Sequence, residues 1–275
     1  MKRGRRQRQF LILIVMCLFS IFIISYSSAA NYYTRYTSWL NFPGNAYVEI
    51  VDSPILDFYQ NNFTISLWIF PINISNNVLP RLIEKRSGYI AIMGNSSNSR
   101  YSKIAFELAN TTGINTVEFW SNRTIQLNTW QNVVLVYSGK DAKWYINGID
   151  VGIKKLEING PWEGTSKSTS GYNMFIARRR SDLLRNFNGN IDEIRIYNRA
   201  LSNEEINFIY NSGRFAISLP INGLIAWYQL DEGSGSIISD SSQYSNYGNI
   251  TNPLWEIEKF YCRIFKGKEI CKQKG

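Results

Sequence analysis

Asn147-Gly148 is the feature that most narrows what this chain can become, because it separates two strand-like runs, Trp144 to Ile146 and Ile149 to Val151. A tight hairpin turn of type I′ needs positive φ at both central residues, and Asn-Gly supplies that at the lowest cost. Upstream, Val133 to Tyr137 is continuously apolar and meets Trp144 through the polar turn Ser138-Gly139-Lys140-Asp141. Asn128 to Gly152 therefore reads as a three-stranded meander. With few helical patterns around it, such a unit predicts a β-sandwich.

Further strand signals follow at sandwich spacing. Phe63 to Phe70 alternates Phe63, Ile65, Leu67 and Ile69 against Thr64, Ser66, Trp68 and Phe70. Both faces carry bulk at its end, which suits a central strand between two sheets. Arg81 to Lys85, Tyr89 to Met93, Lys103 to Leu108, Thr116 to Trp120, Met174 to Arg178 and Asn190 to Tyr197 are shorter, and Gly and Asn punctuate them. Ser202 followed by Glu205 is a capping box. Ile206, Ile209 and Tyr210 give that helix one apolar stripe, and it is expected to plug one end of the sandwich.

Residues 1–30 stand apart from this core. MKRGRRQRQ carries five basic residues and no acid, and Phe10 to Ile24 is apolar except for Ser20. This predicts an N-terminal hydrophobic helix acting as export signal or anchor. Ser28-Ala29-Ala30 offers a cleavage point, yet the uncharged stretch reaches Ala30, about 21 residues, long enough to span a bilayer. A retained anchor with its basic end inside is the favoured form. In either form the residues from Asn31 onward are expected outside the cell.

The net charge of +9 misleads as a clue to partners. Five of the thirty basic residues lie in the leader and six in the tail Lys259 to Lys274, leaving nineteen against twenty acids in between. Nucleic-acid binding needs a basic face along the phosphates, and none is expected outside the tail at 259–275. Cys262 and Cys271 are the only cysteines beyond the leader and read as a disulfide closing a hairpin in an oxidising compartment. Sequons at Asn62, Asn73, Asn95, Asn110, Asn122 and Asn249 point to a glycosylated surface.

Trp39 to Ile50 (WLNFPGNAYVEI), Trp130, the VVLVY run, the WYINGIDV hairpin and NGNIDEIRIYNRALSNEEINFIY from Asn188 to Tyr210 together resemble the laminin-G-like jelly roll of the concanavalin A-like lectin/glucanase superfamily. The resemblance implies an all-β, two-sheet antiparallel jelly-roll sandwich with one short C-terminal helix. One piece is out of place. Residues 223–250, GLIAWYQLDEGSGSIISDSSQYSNYGNI, resemble the family's opening strand and loop, yet follow its last strand.

Three arrangements compete for that segment. In a circularly permuted domain over 37–258, Leu224 to Leu230 would pair with Ile191 to Tyr197, since termini that lie close permit permutation. A second domain would have about fifty residues, too few for a sandwich core. Strand exchange with a neighbour would give a homo-oligomer. Permutation is favoured, because an unpaired apolar strand invites aggregation.

The superfamily's glucanases carry two glutamates around an aspartate, E-x-D-x-x-E, and no such run occurs here. Glu256 with Glu258, and Asp192-Glu193, do not reproduce that spacing. Without His or Gly-x-Ser-x-Gly, a Ser/His or Cys/His hydrolase is excluded as well. The resemblance implies a structural Ca²⁺ held by Asp192, with Asp231 and Asp240 adding oxygens; otherwise Asp192 caps a turn or pairs with Arg195.

Sugar binding needs an aromatic platform and polar groups on loops. Trp162, Tyr172, Arg179 and Arg180 are the candidates, whereas Trp68, Trp130 and Trp144 are expected in the core. The expectation is a non-catalytic binding module for glycan or glycoprotein at the cell surface. A structural envelope protein assembling by strand exchange is the competing class, and a glycoside hydrolase the least expected.

Overall fold

The computed structural model describes residues 32–59, 61–74, 79–86, 88–92, 100–113, 116–181, 185–215, 220–265 and 268–273. The hydrophobic leader, with the helix expected there, and the sequon at Asn95 lie outside the described residues. Among those described, no helix is long and apolar enough to cross a membrane.

In chain order the strands are β1 (Tyr32–Pro43), β2 (Tyr47–Ile50), β3 (Phe63–Pro71), β4 (Arg81–Lys85), β5 (Gly88–Ile92), β6 (Lys103–Ala109), β7 (Thr116–Thr124), β8 (Gln131–Tyr137) and β9 (Ala142–Ile146). There follow β10 (Ile149–Asp150), β11 (Ile153–Ile158), β12 (Met174–Ile176), β13 (Asn188–Tyr197), helix α1 (Asn203–Ser212), β14 (Leu224–Tyr228), β15 (Ile237–Ile238), β16 (Gly248–Thr251), β17 (Leu254–Phe265) and β18 (Lys268–Gln273). The first sheet runs β10-β9-β8-β3-β13-β1-β17, and the second β11-β7-β6-β5-β4-β12-β2-β16-β15. The meander read from Asn147-Gly148 is β8-β9-β10, with Ile149 opposite Ile146.

Alternate residues of the two sheets meet in one core. Phe63, Ile65, Leu67 and Ile69 of β3 and Val133, Leu135 and Tyr137 of β8 face Ile90 and Ile92 of β5 and Phe106 and Leu108 of β6. Each such side chain contributes about 1.5–3 kcal/mol on burial. β3 is central, between β8 and β13. At Gly189 the φ is +150°, and a Cβ there would lie 2.3 Å from the Phe70 carbonyl oxygen, so β13 approaches β3 in a way only glycine allows.

The helix forms as expected but packs elsewhere. Glu205 N–H donates to Ser202 Oγ at 3.3 Å and Ser202 N–H to Glu205 Oε2 at 2.9 Å, closing the capping box. Ile206 and Ile209 are buried against Val134, Val136, Tyr145 and Tyr197, so α1 covers the outer face of the first sheet rather than an end of the sandwich. Apolar residues on both faces of β8 demand that second cover. Strand β11 was not among the strands expected from the sequence. Its alternation of half-buried and exposed residues marks an edge strand on β7.

The displaced segment completes the first sheet within its own chain. Tyr228, Trp227, Ala226 and Leu224 of β14 face Ile194, Arg195, Ile196 and Tyr197 of β13. β1 takes the other half of the same edge, Leu40 to Pro43 facing Ile191 to Asn188. The changeover falls at Asp192-Glu193, where the register against β3 shifts and Glu193 has φ +51°. Further along the same segment, β16 pairs with β2, so it extends both sheets.

Thr37–Glu258 forms one compact unit; of the described residues outside it, 32–36 with 259–265 and 268–273 form another. In the second, Lys259 Nζ lies 5.6 Å from the Tyr36 ring centroid and 5.1 Å from that of Tyr261. The β17-β18 hairpin sets Cys262 opposite Cys271 in register.

Candidate functional site

The outer face of the second sheet carries a row of polar side chains. Glu84 of β4 faces Tyr89 of β5, Tyr89 faces Glu107 of β6, and Glu107 faces Glu118 of β7. Cross-strand partners of this kind have Cβ atoms about 4.5–5.5 Å apart. A bulge between Arg81 and Ile83 shifts the register of β4 on β5. It sends Leu82 and Ile83 both into the core and leaves Arg81 and Glu84 together on the outer face.

Cations and donors compensate the row. Arg81 Nε donates to Glu84 Oε2 at 3.1 Å, and its guanidinium lies 3.2 Å from the Tyr89 ring centroid. The Tyr89 hydroxyl donates to Glu107 Oε2. Glu118 Oε2 accepts from Trp120 Nε1 at 2.6 Å and from Arg100 Nη1 at 2.9 Å. Burial pushes the Glu107 carboxyl above the usual glutamate range, against the Tyr89 hydrogen bond, and the Glu118 charge adds to the rise.

Beside this row the surface opens into a cleft of about 410 Å³. Arg81, Arg86, Arg179, Arg180 and Arg185 line it, with Glu84, Glu107 and Tyr89 as the other charged or aromatic groups. The Arg86 and Arg180 guanidinium carbons lie 3.9 and 5.2 Å from the Tyr172 ring centroid. Arg86 leaves β4 with φ +45°, which turns the chain at the rim. Glu84 Oε1 accepts from the Arg180 backbone N–H at 3.1 Å and so ties the Arg178 to Ser181 loop to the sheet. Arg81 Nη1 has no hydrogen-bond partner, although its side chain is only 3% exposed.

Three of the four ligand-binding candidates gather here: Arg179 and Arg180 in the lining and Tyr172 beside it. Trp162 does not. It is 6% exposed and belongs to the main core, its indole near the Tyr137 hydroxyl, so it is no surface platform. In a polar loop the one large apolar side chain is the part that gains most by burial. Arg81, Arg86, Tyr89, Glu107 and Arg185 escaped sequence reading because they come from separate elements at no motif spacing. The Arg178-Arg179-Arg180 run was the one visible sign.

The carboxylates assigned to calcium do not form one ligand set. Asp192 is fully buried, and burial raises its pKa well above the ordinary value while Arg214 opposes the rise. Arg214 Nη1 lies 3.3 Å from Asp192 Oδ2 and Nη2 lies 3.6 Å from Glu258 Oε2. The same guanidinium sits 4.0 and 4.9 Å from the Trp130 and Trp39 ring centroids. Asp231 Oδ1 accepts from the Thr37 hydroxyl at 3.1 Å, whereas Asp240 accepts from the N–H groups of Trp227, Ser242 and Asn246, each at 2.9 Å, and clasps its own loop. Arg195 pairs with Glu193 at 2.7 Å. Among the described residues, no group of three or more His, Cys, Asp or Glu is placed to hold a metal ion. Of the sequons, Asn62, Asn73, Asn122 and Asn249 are exposed and Asn110 is half-buried.

A family model described as concanavalin A-like lectin/glucanases superfamily matches residues 42–207. Among solved structures, a protein of Bacteroides ovatus provisionally assigned to carbohydrate binding aligns with TM-score 0.57 at 17% identity, over 80% of this chain and 59% of that one. This chain thus spans little more than half of that structure. A heptameric SAP-like pentraxin of Limulus polyphemus aligns with TM-score 0.42 at 14% identity, over 71% of this chain and 92% of that one. No curated protein matches the sequence significantly.

Proposed function

The chain belongs to the concanavalin A-like lectin/glucanases superfamily, and from that premise we propose that it is a non-catalytic module binding carbohydrate or glycoprotein outside the cell. The observation that carries this reading is the cleft on the second sheet, where arginines project around Tyr89 and beside Tyr172. Rigid strands hold planar hydrogen-bond donors next to aromatic rings, the combination that orients a sugar. The provisional carbohydrate-binding assignment of the Bacteroides ovatus protein supports the reading.

Binding is preferred to hydrolysis for a physical reason. Glu107 and Glu118 are paired carboxylates, but Tyr89 holds the first, and Trp120 and Arg100 hold the second. The E-x-D-x-x-E run that sets acid and nucleophile at working distance in the glucanases is also absent from the sequence. Strand exchange loses its motive, because β14 fills the edge of β13 in the same chain.

The rest of the proposal follows the address read from the sequence. The leader anchors or exports the chain, glycans occupy exposed sequons, and a Cys262–Cys271 disulfide closes the β17-β18 hairpin. Calcium has no part in it: Arg214 is the cation beside Asp192 and Glu258. A glycan array with the purified chain tests the reading. Binding that disappears in Tyr172→Ala, with the circular dichroism spectrum retained, supports it. Absence of binding to every glycan, or indifference to Tyr172→Ala, refutes it.

A further inference from the structure

We infer that the cleft selects acidic saccharides, gripping a carboxylate or sulfate on the sugar with guanidinium groups; this rests on the carbohydrate reading above. Between leader and tail the chain holds nineteen basic residues against twenty acids, so its average surface has no sign. Yet among the described residues five arginines line one depression of about 410 Å³, against two carboxylates. Charge has been concentrated, not accumulated.

Both carboxylates are already engaged. Glu84 accepts from Arg81 Nε and from the Arg180 backbone, and Glu107 accepts from Tyr89. Neither is placed to neutralise Arg86 or Arg185 as well, and Arg86 and Arg180 lie over the single ring of Tyr172, which holds two like charges close together. Clustered guanidinium groups repel one another unless an anion joins them. Arginine also matches carboxylate and sulfate oxygens with paired, planar donors, which lysine does not.

A second observation points the same way. The Arg81 side chain is 3% exposed and part of the cleft lining, yet its Nη1 donates to no protein acceptor. A buried donor without an acceptor costs about 1–3 kcal/mol in general. An oxyanion settling at the cleft floor removes that cost. The aromatic part of the site, Tyr89 beneath Arg81 and Tyr172 beneath Arg86, provides apolar surface for the sugar ring next to the charge.

The test is calorimetric titration of the full-length chain with three tetrasaccharides: a galacturonate oligomer, its methyl-esterified neutral counterpart, and a sulfated galactan oligomer. A short single-stranded oligonucleotide serves as a fourth titrant. One or both acidic oligosaccharides should bind at least about tenfold more tightly than the neutral one, and binding should weaken as salt is raised. Galacturonate and sulfated galactan, compared with each other, identify which oxyanion is preferred. Arg180→Gln, at an exposed position where folding is insensitive, should lower affinity for the acidic ligand about tenfold and lower any neutral binding by a smaller factor.

Equal affinity for neutral and acidic sugars overturns the inference while the carbohydrate reading survives. Loss of all sugar binding overturns both. Tight oligonucleotide binding without oligosaccharide binding overturns both in favour of a nucleic-acid partner. Arg180→Glu that binds the acidic sugar as well as the unmodified protein does also overturns the inference, because a reversed charge in the cleft must be felt.

Discussion

Arg214 Nη1 lies 3.3 Å from Asp192 Oδ2, where the family resemblance had implied a calcium ion. The guanidinium comes from the turn after α1, while the carboxylate sits at the bulge of β13 where β1 hands over to β14. One arginine therefore holds together the seam at which β14 joins the sheet.

Removing that cation should be costly. Arg214→Ala leaves Asp192 buried without its ion pair, and loss of one partner of a buried pair costs about 3–5 kcal/mol. Urea unfolding measures this. A loss under about 1 kcal/mol would show that water reaches Asp192. On the same argument, EDTA should leave the melting temperature of the unmodified protein unchanged.

Glu107 should give the fold an acid-leaning stability. Its folded pKa is raised by burial, so above the ordinary value of about 4.3 the folded protein holds a proton that the unfolded chain has released. Stability therefore falls as pH rises from that value through the raised one. Glu107→Gln should flatten this slope, and stability measured from pH 4 to pH 8, a range spanning roughly four units around it, reads the difference. An unchanged slope would assign it to Asp192, whose pKa is raised in the same direction.

Trp162→Ala should behave as a core mutation. It removes a buried ring from the main cluster and should cost about 3–5 kcal/mol. Glycan affinity, measured at a temperature where the variant is folded, should be unchanged. A selective loss of affinity would return Trp162 to the site.

Strand β14 should be integral to the domain. Ile225 is 1% exposed and belongs to the main core, so Ile225→Ala should cost about 2–5 kcal/mol in a single cooperative transition. A near-zero effect would mean that β14 is an ornament on a complete sheet.

Cys262 should resist alkylation until the protein is reduced, given its register opposite Cys271. Modification of Cys262 or Cys271 by iodoacetamide in the non-reduced protein would rule out the disulfide.

How much of this was legible in the chain depends on the range of the interaction. Asn147-Gly148, Phe63 to Phe70 and Ser202 with Glu205 act through backbone geometry and alternation over a few residues, and each formed the element it announced. The displaced strand was legible too, because its resemblance named its neighbour. Trp162 was misread because a polar loop hides whether its one large ring points inward. The helix was misplaced because its stripe fits a sheet face as well as an end.

By itself, then, the sequence determined the local units: hairpin turns, alternating strands, a capped helix and the order in which they occur. The tertiary structure alone decided which charges meet. A bulge at Arg81 put Arg81 and Glu84 on one face, register aligned Tyr89, Glu107 and Glu118, and distant loops delivered Arg86, Arg180 and Arg185 to the same cleft. Side-chain alternation is a property of neighbouring residues, whereas electrostatic partnership depends on distance in space, which no spacing along the chain encodes.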